Sequence, residues 1–479
     1  MAPALGPDNE SFQCELNGHE IQCRHPQTQK EIIISINNLI CILSRGDKLE
    51  APRHVMLFLW LDENEFEVSR ECMSLQSIEV LSLPAQLSKF VCSDIPPYLG
   101  TFTHEQVEKV NIHVIISTTS GTHTGMSVFK NILSPLLSQL GVREYAVHET
   151  RTTQTIVELC HTKLMPCAQA GIKQTIILLS GDGGLTDIID SFHGTAIQYL
   201  AKPIIALIPT GTGNAMASSI GLLKSRAAGL SALLHGHPAP IPAFLATFSA
   251  GSKLVTEAGS GRVNINSHSQ SKTGHPTVYG GVVASWGLHA ALVADSDTAE
   301  YRKYGAERFQ MAAKEILFPS NGDDPHKFRG SISFTWRDRQ TNKRHTEALG
   351  CEEHMYVLVT LVSNLEPGFT ISPLSAPLDG CLRIIHFGPM TSEQAMNLMS
   401  NAYQGGKHVN DARVTYREIE SIRITLGEVD ERWRKVCIDG KIIAVESGGW
   451  LEVQKISEHY LNILIPAHGD SDVWLRGVS

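Results

Sequence analysis

Thr175-Ile-Ile-Leu-Leu-Ser-Gly-Asp-Gly-Gly-Leu-Thr-Asp187 is the stretch on which the fold turns. Five apolar or β-branched residues run into Ser180-Gly-Asp-Gly-Gly184, after which Leu185, Ile188, Ile189 and Phe192 recur at helical spacing. This order predicts a short strand buried on both faces, a glycine turn and an amphipathic helix, the opening of a βα unit on a parallel sheet. Asp182 stands between two glycines where that helix begins, a position at which the helix dipole favours an ionised carboxylate. Helix capping is the plain role for such a residue. Proton abstraction from a hydroxyl is the chemical one.

The same punctuation occurs twice more. Ile112, Val114, Ile115 and Ile116 lead into Ser117-Thr-Thr-Ser-Gly-Thr-His-Thr-Gly125, and an apolar run at 204–209 leads into Pro209-Thr-Gly-Thr-Gly-Asn-Ala215. In an open α/β sheet all three turns lie beyond the carboxyl ends of the strands, where ligands bind. Glycine lets backbone N–H groups approach an anion closely, and the helix that follows adds favourable partial charge. The set therefore predicts a cradle for phosphate or a nucleotide. It is not the dinucleotide fingerprint, since no complete GxGxxG stands in a βα context, and the P-loop GxxxxGK[ST] is absent. Protein-kinase HRD and DFG signatures are missing as well. After the first turn, Phe129, Ile132, Leu133, Leu136, Leu137 and Leu140 keep helical spacing, and Pro135 is expected to kink that helix.

The whole chain has 479 residues, with 40 Lys and Arg against 49 Asp and Glu, a net charge of −9. Hydrophobic residues at 42% exclude a wholly disordered chain. The mild acidity argues against a nucleic-acid partner, which calls for a basic excess or stripe. The apolar stretches are far shorter than the roughly 20 residues that cross a bilayer. The first residues lack the basic-then-apolar pattern of a secretory signal, so a cytoplasmic chain is expected. Ten cysteines without a CxxC pair fit reduced thiols better than a disulfide framework. Cys14, His19, Cys23 and His25 match no common zinc spacing.

Length suggests about three domains. Residues 1–108 read as a β-rich accessory region of unknown role, and 109–245 as the catalytic α/β domain. Residues 246–276, rich in Gly, Ser and Asn, read as a flexible polar linker. Residues 277–479 read as an antiparallel β-rich domain, with strand-like segments at 278–285, 330–336, 355–363, 381–387, 421–426 and 436–445.

Three segments in order, LLSGDGGLTDIIDSF (178–192), IPTGTGNAMASSI (208–220) and SWGLHAALVADSDTAEYRKYGAERF (285–309), resemble the diacylglycerol kinase and sphingosine kinase superfamily. The likeness is greatest to the sphingosine (long-chain base) kinases and extends over residues 110–455. It implies an α/β fold: an NAD-kinase-like nucleotide domain with a parallel sheet, a C-terminal β-sandwich domain, and a site in the cleft between them. It also implies transfer of the γ-phosphoryl group of ATP, with Mg2+, to a lipid hydroxyl. By this resemblance Asp182 is the base on the acceptor hydroxyl. Ser180, Gly181 and Gly183 face the lipid head group, and Asp295 recognises the sphingoid amine and hydroxyl. Ser117, Thr119, Thr150, Asp187, Gly211, Thr212, Gly213, Arg302, Arg308, Asp439 and Gly440 fall at nucleotide positions. Metal ligands are left open.

Guanidinium forks at 302 and 308 suit a transferring phosphoryl group. Six residues place them about 120° apart on a straight helix, so they reach one phosphate chain most easily if the helix starts or bends near Gly305, or through their long side chains. Two departures stand out. Ser117 and Thr118 replace the Asn-Pro of the family's first turn, and Asp439-Gly440-Lys441 replaces Asp-Gly-Glu. Lys441 therefore either contacts phosphate or weakens the site. The first reading is a kinase of a sphingoid base, with diacylglycerol or ceramide as the other acceptors. A catalytically weakened lipid- or nucleotide-binding regulator is the second, and an NAD kinase the third. The implied partner is a lipid substrate presented by a membrane, met through peripheral contact.

Overall fold

The structure, a computed structural model, describes residues 11–45, 53–61, 73–100, 111–118, 121, 123–195, 198–265, 274–298, 300–305 and 307–467. The run at 175–179 lies in the strand Gln174–Ser180, every residue of which is buried. Asn111–Ile116 and Ile204–Pro209 flank it in parallel. The full sheet has six strands in the order His237–Pro240, Asn462–Ile465, Ile204–Pro209, Gln174–Ser180, Asn111–Ile116 and Ala146–Glu149. Only His237–Pro240 runs antiparallel to its neighbour, at the edge. Pro238 and Pro240 lack N–H groups that an inner strand needs, which an edge position tolerates.

Side chains alternate between the faces of this sheet. Ile176, Leu178, Ile205 and Leu207 enter one core, whereas Ile177, Leu179, Ala206 and Ile208 enter another. Cover on both faces is why these strands read as unbroken apolar runs. Two of the flanking helical stretches widen into π turns, at Phe129–Leu133 and Cys160–Leu164. Pro135 and Pro166 stand just beyond them. A widened turn relieves the clash between a proline ring and the carbonyl of the preceding turn, and such a turn stands before Pro135, where a kink was expected.

The accessory region is β-rich, as expected. Among the described residues its sheet has seven strands, in the order Glu31–Ser35, Glu20–Arg24, Ser11–Asn17, Met73–Ser82, Arg53–Leu61, Leu39–Arg45 and Val91–Cys92. Phe12, Ile21, Met56 and Phe58 make a core of its own. Ile40, Leu57 and Leu59 pack instead with Val128, Ile132 and Leu136 of the parallel-sheet domain.

The C-terminal domain is a sandwich of two antiparallel sheets. One has the order Thr277–Gly280, Phe244–Phe248, Trp450–Lys455, Ser421–Leu426, Phe328–Arg337 and Arg344–Ala348, with Glu353–His354 paired to Phe328–Arg337. The other has eight strands: Gly261–Asn264, Lys253–Thr256, Lys441–Ala444, Lys435–Ile438, Val283–Gly287, Tyr356–Thr360, Arg383–Phe387 and Thr415–Glu418. Phe244, Phe334, Ile424 and Leu451 from the first share a core with Trp286, Leu358 and Ile384 from the second. The segment expected at 436–445 is a hairpin around Asp439 and Gly440, whose φ values of 50° and 88° suit a two-residue turn.

Two domain boundaries need correction. Residues 246–276 are not a flexible linker over their described part, because Phe244–Phe248, Lys253–Thr256 and Gly261–Asn264 are strands of the sandwich. Residues 266–273 of that stretch lie outside the described residues. The domain placed at 277–479 also gives up Asn462–Ile465, which returns to pair with Ile204–Pro209. Among the described residues, no helix is long and apolar enough to cross a membrane.

Candidate active site

The three turns meet at the carboxyl edge of the parallel sheet. Thr210 N donates to Ser180 O at 3.1 Å, Ser117 N to Leu179 O at 2.9 Å, and Thr150 N to Ile116 O at 3.0 Å. A Cβ on Gly181 would lie 2.9 Å from Gly211 Cα, and one on Gly211 would overlap the Gly181 backbone. Glycine is required at both positions because the two backbones touch. Asn214, with a φ of 52°, braces the third turn by donating to Gly211 O at 2.6 Å and accepting from Gly211 N at 3.2 Å. In the first turn Thr118 N donates to Thr150 Oγ1 at 3.0 Å, and Thr118 Oγ1 donates to Thr150 O at 2.6 Å. A bonded threonine pair thus fixes the backbone where the family resemblance has Asn-Pro. Ser117, Thr150, Gly211, Thr212 and Gly213 line one cavity. Thr119 lies outside the described residues.

The Asp182 carboxylate does cap a helix, though not its own. Oδ2 accepts from Ala215 N at 2.6 Å and Oδ1 from Met216 N at 3.0 Å, the first two N–H groups of Ala215–Ser219. Each carboxylate oxygen has a second acceptor site, so capping leaves capacity to take a proton. Burial pushes the carboxyl above its ordinary range, and the Met216 and Ala215 N–H groups partly oppose that push. The two roles open to this residue are compatible. Ser180, Gly181 and Gly183 line the cavity beside it, and a Cβ on Gly183 would meet nothing within 4 Å.

Asp187 and Asp190 sit one turn apart on the helix Asp182–His193. Lys441 Nζ lies 3.0 Å from Asp187 Oδ1 and 3.0 Å from Asp190 Oδ2. Asp190 Oδ1 also accepts from Tyr279 N at 2.8 Å. Burial disfavours the Lys441 ammonium, but the Asp190 and Asp187 carboxylates outweigh it and hold its pKa above the usual lysine range. Burial pushes Asp187 upward against the pull of Lys441. The lysine therefore bridges the parallel-sheet domain to the sandwich, a role that neither of the sequence-based alternatives contained. Asp190 was missed, although its i, i+3 spacing from Asp187 was an available signal.

Asp439 is engaged on both oxygens: Oδ2 accepts from Gly281 N at 2.7 Å, and Oδ1 from Val282 N at 3.1 Å and Val283 N at 2.5 Å. Burial pushes it up to about 7, opposed by those N–H groups and reinforced by the nearby Asp182. Its carboxylate holds the crossing between the two sheets, while Asp439 and Gly440 line the cavity.

That cavity, of about 1930 Å³, joins the three turns to an apolar arm in the sandwich domain lined by Leu288, Leu292, Phe309, Leu317 and Met399. Two polar groups missed by sequence reasoning stand in the arm. Tyr356 has a buried hydroxyl without a hydrogen-bond partner, and His289 Nδ1 lies 2.7 Å from Ser285 Oγ. Burial pushes His289 down to about 4, which makes its ring neutral near pH 7. The helix Glu307–Leu317 starts just after Gly305, whose φ is 55°. Arg308 lines the cavity, stacks over the Phe309 ring at 4.8 Å and lies 3.9 Å from Asp297 Oδ1. The Arg302 side chain lies outside the described residues.

Asp295 is the expected site residue that the structure moves elsewhere. Its Oδ2 accepts from Arg432 Nη2 at 3.0 Å, and it does not line the cavity, whereas Asp297 does. Asp295 is in the last turn of Leu288–Ser296 and Asp297 is the residue that ends the helix. Two positions at about 100° each turn one acid away from the site while the other faces it.

Residues 111–245 match the family model for the diacylglycerol kinase catalytic domain. Over 146 residues the chain is 30% identical to "Sphingosine kinase B" of Dictyostelium discoideum, a match covering 30% of this chain and 18% of that protein's length. Among solved structures, a diacylglycerol kinase from Bacillus anthracis str. Sterne aligns over 74% of this chain and 96% of its own, at a TM-score of 0.43 and 13% identity. Yeast NADH kinase complexed with NADH aligns over 77% of this chain and 89% of its own, at a TM-score of 0.37 and 10% identity.

Proposed function

We propose that the chain is an ATP-dependent lipid kinase, a reading that rests first on the match of residues 111–245 to the diacylglycerol kinase catalytic domain model. One observation carries the proposal: a single cavity joins a glycine-lined anion cradle, with Asp182 at its wall, to an apolar arm. A soluble acceptor such as NAD has no use for that arm. A sphingoid base is the favoured acceptor, on two supports. The match to Sphingosine kinase B is one. The other is Asp297 at the cavity wall, a carboxylate that pairs with an ammonium group diacylglycerol lacks. The lipid would be taken from a membrane surface by peripheral contact.

The backbone of the turns fits a phosphate chain, because glycine leaves their N–H groups open to an anion. Four of the cavity carboxylates already serve other groups: Asp182, Asp190 and Asp439 accept on both oxygens, and Asp187 pairs with Lys441. Glu257, Asp297 and Glu366 also line the cavity. The ion fits as one carried on the ATP phosphates and completed largely by water. Bound Mg-ATP supplies the phosphoryl group and screens its charge. Arg308 adds a fixed positive charge, and the turns orient the nucleotide. Asp182 takes the proton of the acceptor hydroxyl as its oxygen bonds to the γ-phosphorus. The bond from that phosphorus to the bridging oxygen breaks, and ADP leaves.

The test is turnover of sphingosine, diacylglycerol, ceramide and NAD, each lipid in mixed micelles. Phosphorylated sphingosine is the expected product. Asp182→Asn should lower kcat by about 10²-fold or more while circular dichroism stays unchanged. The base must be ionised, so kcat should fall as pH drops through a carboxyl pKa above the ordinary aspartate value. Preference for diacylglycerol would move the acceptor. Turnover of NAD alone, or an unaffected Asp182→Asn enzyme, would remove the proposal.

A further inference from the structure

The sandwich domain holds a second cluster of ligating side chains, apart from the cavity. One ligand atom from each of Cys351, His354 and His386 lies within 4.8 Å of the others, and none of the three residues lines the cavity. His354 Nδ1 is 2.9 Å from His386 Nε2 and 3.8 Å from Cys351 Sγ. Both rings are buried, and Cys351 is exposed. Glu353–His354 pairs with Phe328–Arg337, and Arg383–Phe387 pairs with Tyr356–Thr360. The cluster therefore spans the two sheets where the chain crosses between them.

His354 Nε2 faces Gly330 O at 3.1 Å. A carbonyl only accepts, so the ring proton sits on Nε2 and Nδ1 turns a lone pair toward the cluster. A histidine bound to a metal has this arrangement, its outer nitrogen donating to a backbone carbonyl. Tetrahedral Zn2+ with these ligands sets N···N near ~3.4 Å and N···S near ~3.6 Å. The two measured separations lie within about 0.5 Å of those values. The third gap closes by rotation of the exposed Cys351 side chain.

We propose that Cys351, His354 and His386 bind a divalent cation of the zinc type, with water in a fourth, solvent-side position. Binding forms one metal–sulfur and two metal–nitrogen bonds, and the thiol proton passes to solvent. Thiolate with imidazole selects zinc or cobalt over Mg2+ and Ca2+. The competing account is a metal-free hydrogen bond from His386 Nε2 to His354 Nδ1.

The experiment uses the full chain, stripped with a chelator, then dialysed with Zn2+ or titrated with Co2+. One zinc per chain is expected by elemental analysis, with a thiolate-to-cobalt charge-transfer band in the near ultraviolet and a rise in Tm on adding zinc. Cys351→Ser, at an exposed position, should keep the metal-free Tm, lose the charge-transfer band and bind zinc at least about tenfold more weakly. Absence of stoichiometric zinc in the wild type, or a cobalt spectrum that Cys351→Ser leaves intact, overturns the proposal.

Discussion

Lys441 stands between two carboxylates that would otherwise repel each other. Its ammonium touches Asp187 and Asp190 at 3.0 Å each, with its side chain 24% exposed. Lys441→Met would leave two half-buried acids unpaired at the join between domains, and a loss of about 1–3 kcal/mol is expected, read as a lower urea midpoint. Adding Asp190→Asn to that variant should recover part of the loss, because one repelling charge goes. An unchanged midpoint would show that the bridge contributes nothing. At this scale the legibility of the sequence was uneven. Asp182 stood out because it lies between glycines after a buried strand, but the helix it caps, Ala215–Ser219, is another one, more than thirty positions on. Lys441 was visible as a departure, but its partner Asp190 is 251 positions away in sequence. Asp295 and Asp297 differ by where a helix ends, a detail with no local signature.

The glycine turns give the element-scale case. Gly211 and Gly183 look alike in sequence, yet a Cβ on Gly211 would enter the Gly181 backbone, whereas one on Gly183 would meet nothing. Backbone cannot rotate away as a side chain can. Gly211→Ala should therefore lower stability by about 1–3 kcal/mol and weaken binding of a non-hydrolysable ATP analogue by more than about tenfold (about 1.4 kcal/mol). Gly183→Ala should leave the urea midpoint within about 0.5 kcal/mol of wild type. Equal effects in calorimetry and urea unfolding would contradict the close approach of the turns. The strands of the parallel sheet were legible because both of their faces are covered. The hairpin at 253–264 was not, since four-residue strands joined by Gly and Ser resemble a linker. Asn462–Ile465 also escaped, because parallel pairing across the chain leaves no local pattern.

At the scale of the molecule, the accessory domain covers one side of the parallel-sheet domain through Ile40, Leu57 and Leu59 against Val128, Ile132 and Leu136. Removing residues 1–100 would expose that face, and an aggregated product on size exclusion is expected; a monodisperse, folded fragment would show the contact to be dispensable. Acid stability is also a property of the whole. Burial holds His113, His193 and His289 down to about 4, against an ordinary value of 6.5. Their stabilisation is complete above 6.5 and is lost as pH falls toward 4, because the unfolded chain takes up protons first. Asp439 acts in the opposite sense. Its folded value of about 7 exceeds the ordinary 3.8, so its contribution is full at low pH and fades as pH rises through 7. Between pH 4 and 6.5 each of these histidines takes up a proton in the unfolded chain before the folded one, whereas Asp439 keeps in the folded chain a proton that the unfolded chain has lost. At about 1.36 kcal/mol per proton and pH unit, each such histidine lowers stability by up to about 1.4 kcal/mol per unit on acidification, and Asp439 offsets the same amount. Asp439→Asn should therefore steepen the acid slope by about 1.4, and His289→Gln should flatten it by about 1.4. Urea midpoints at intervals from pH 4.5 to 6.5 measure all three slopes. A slope that His289→Gln leaves unchanged would mean that this ring titrates alike in the folded and unfolded chain, and the burial effect assigned to it would fall.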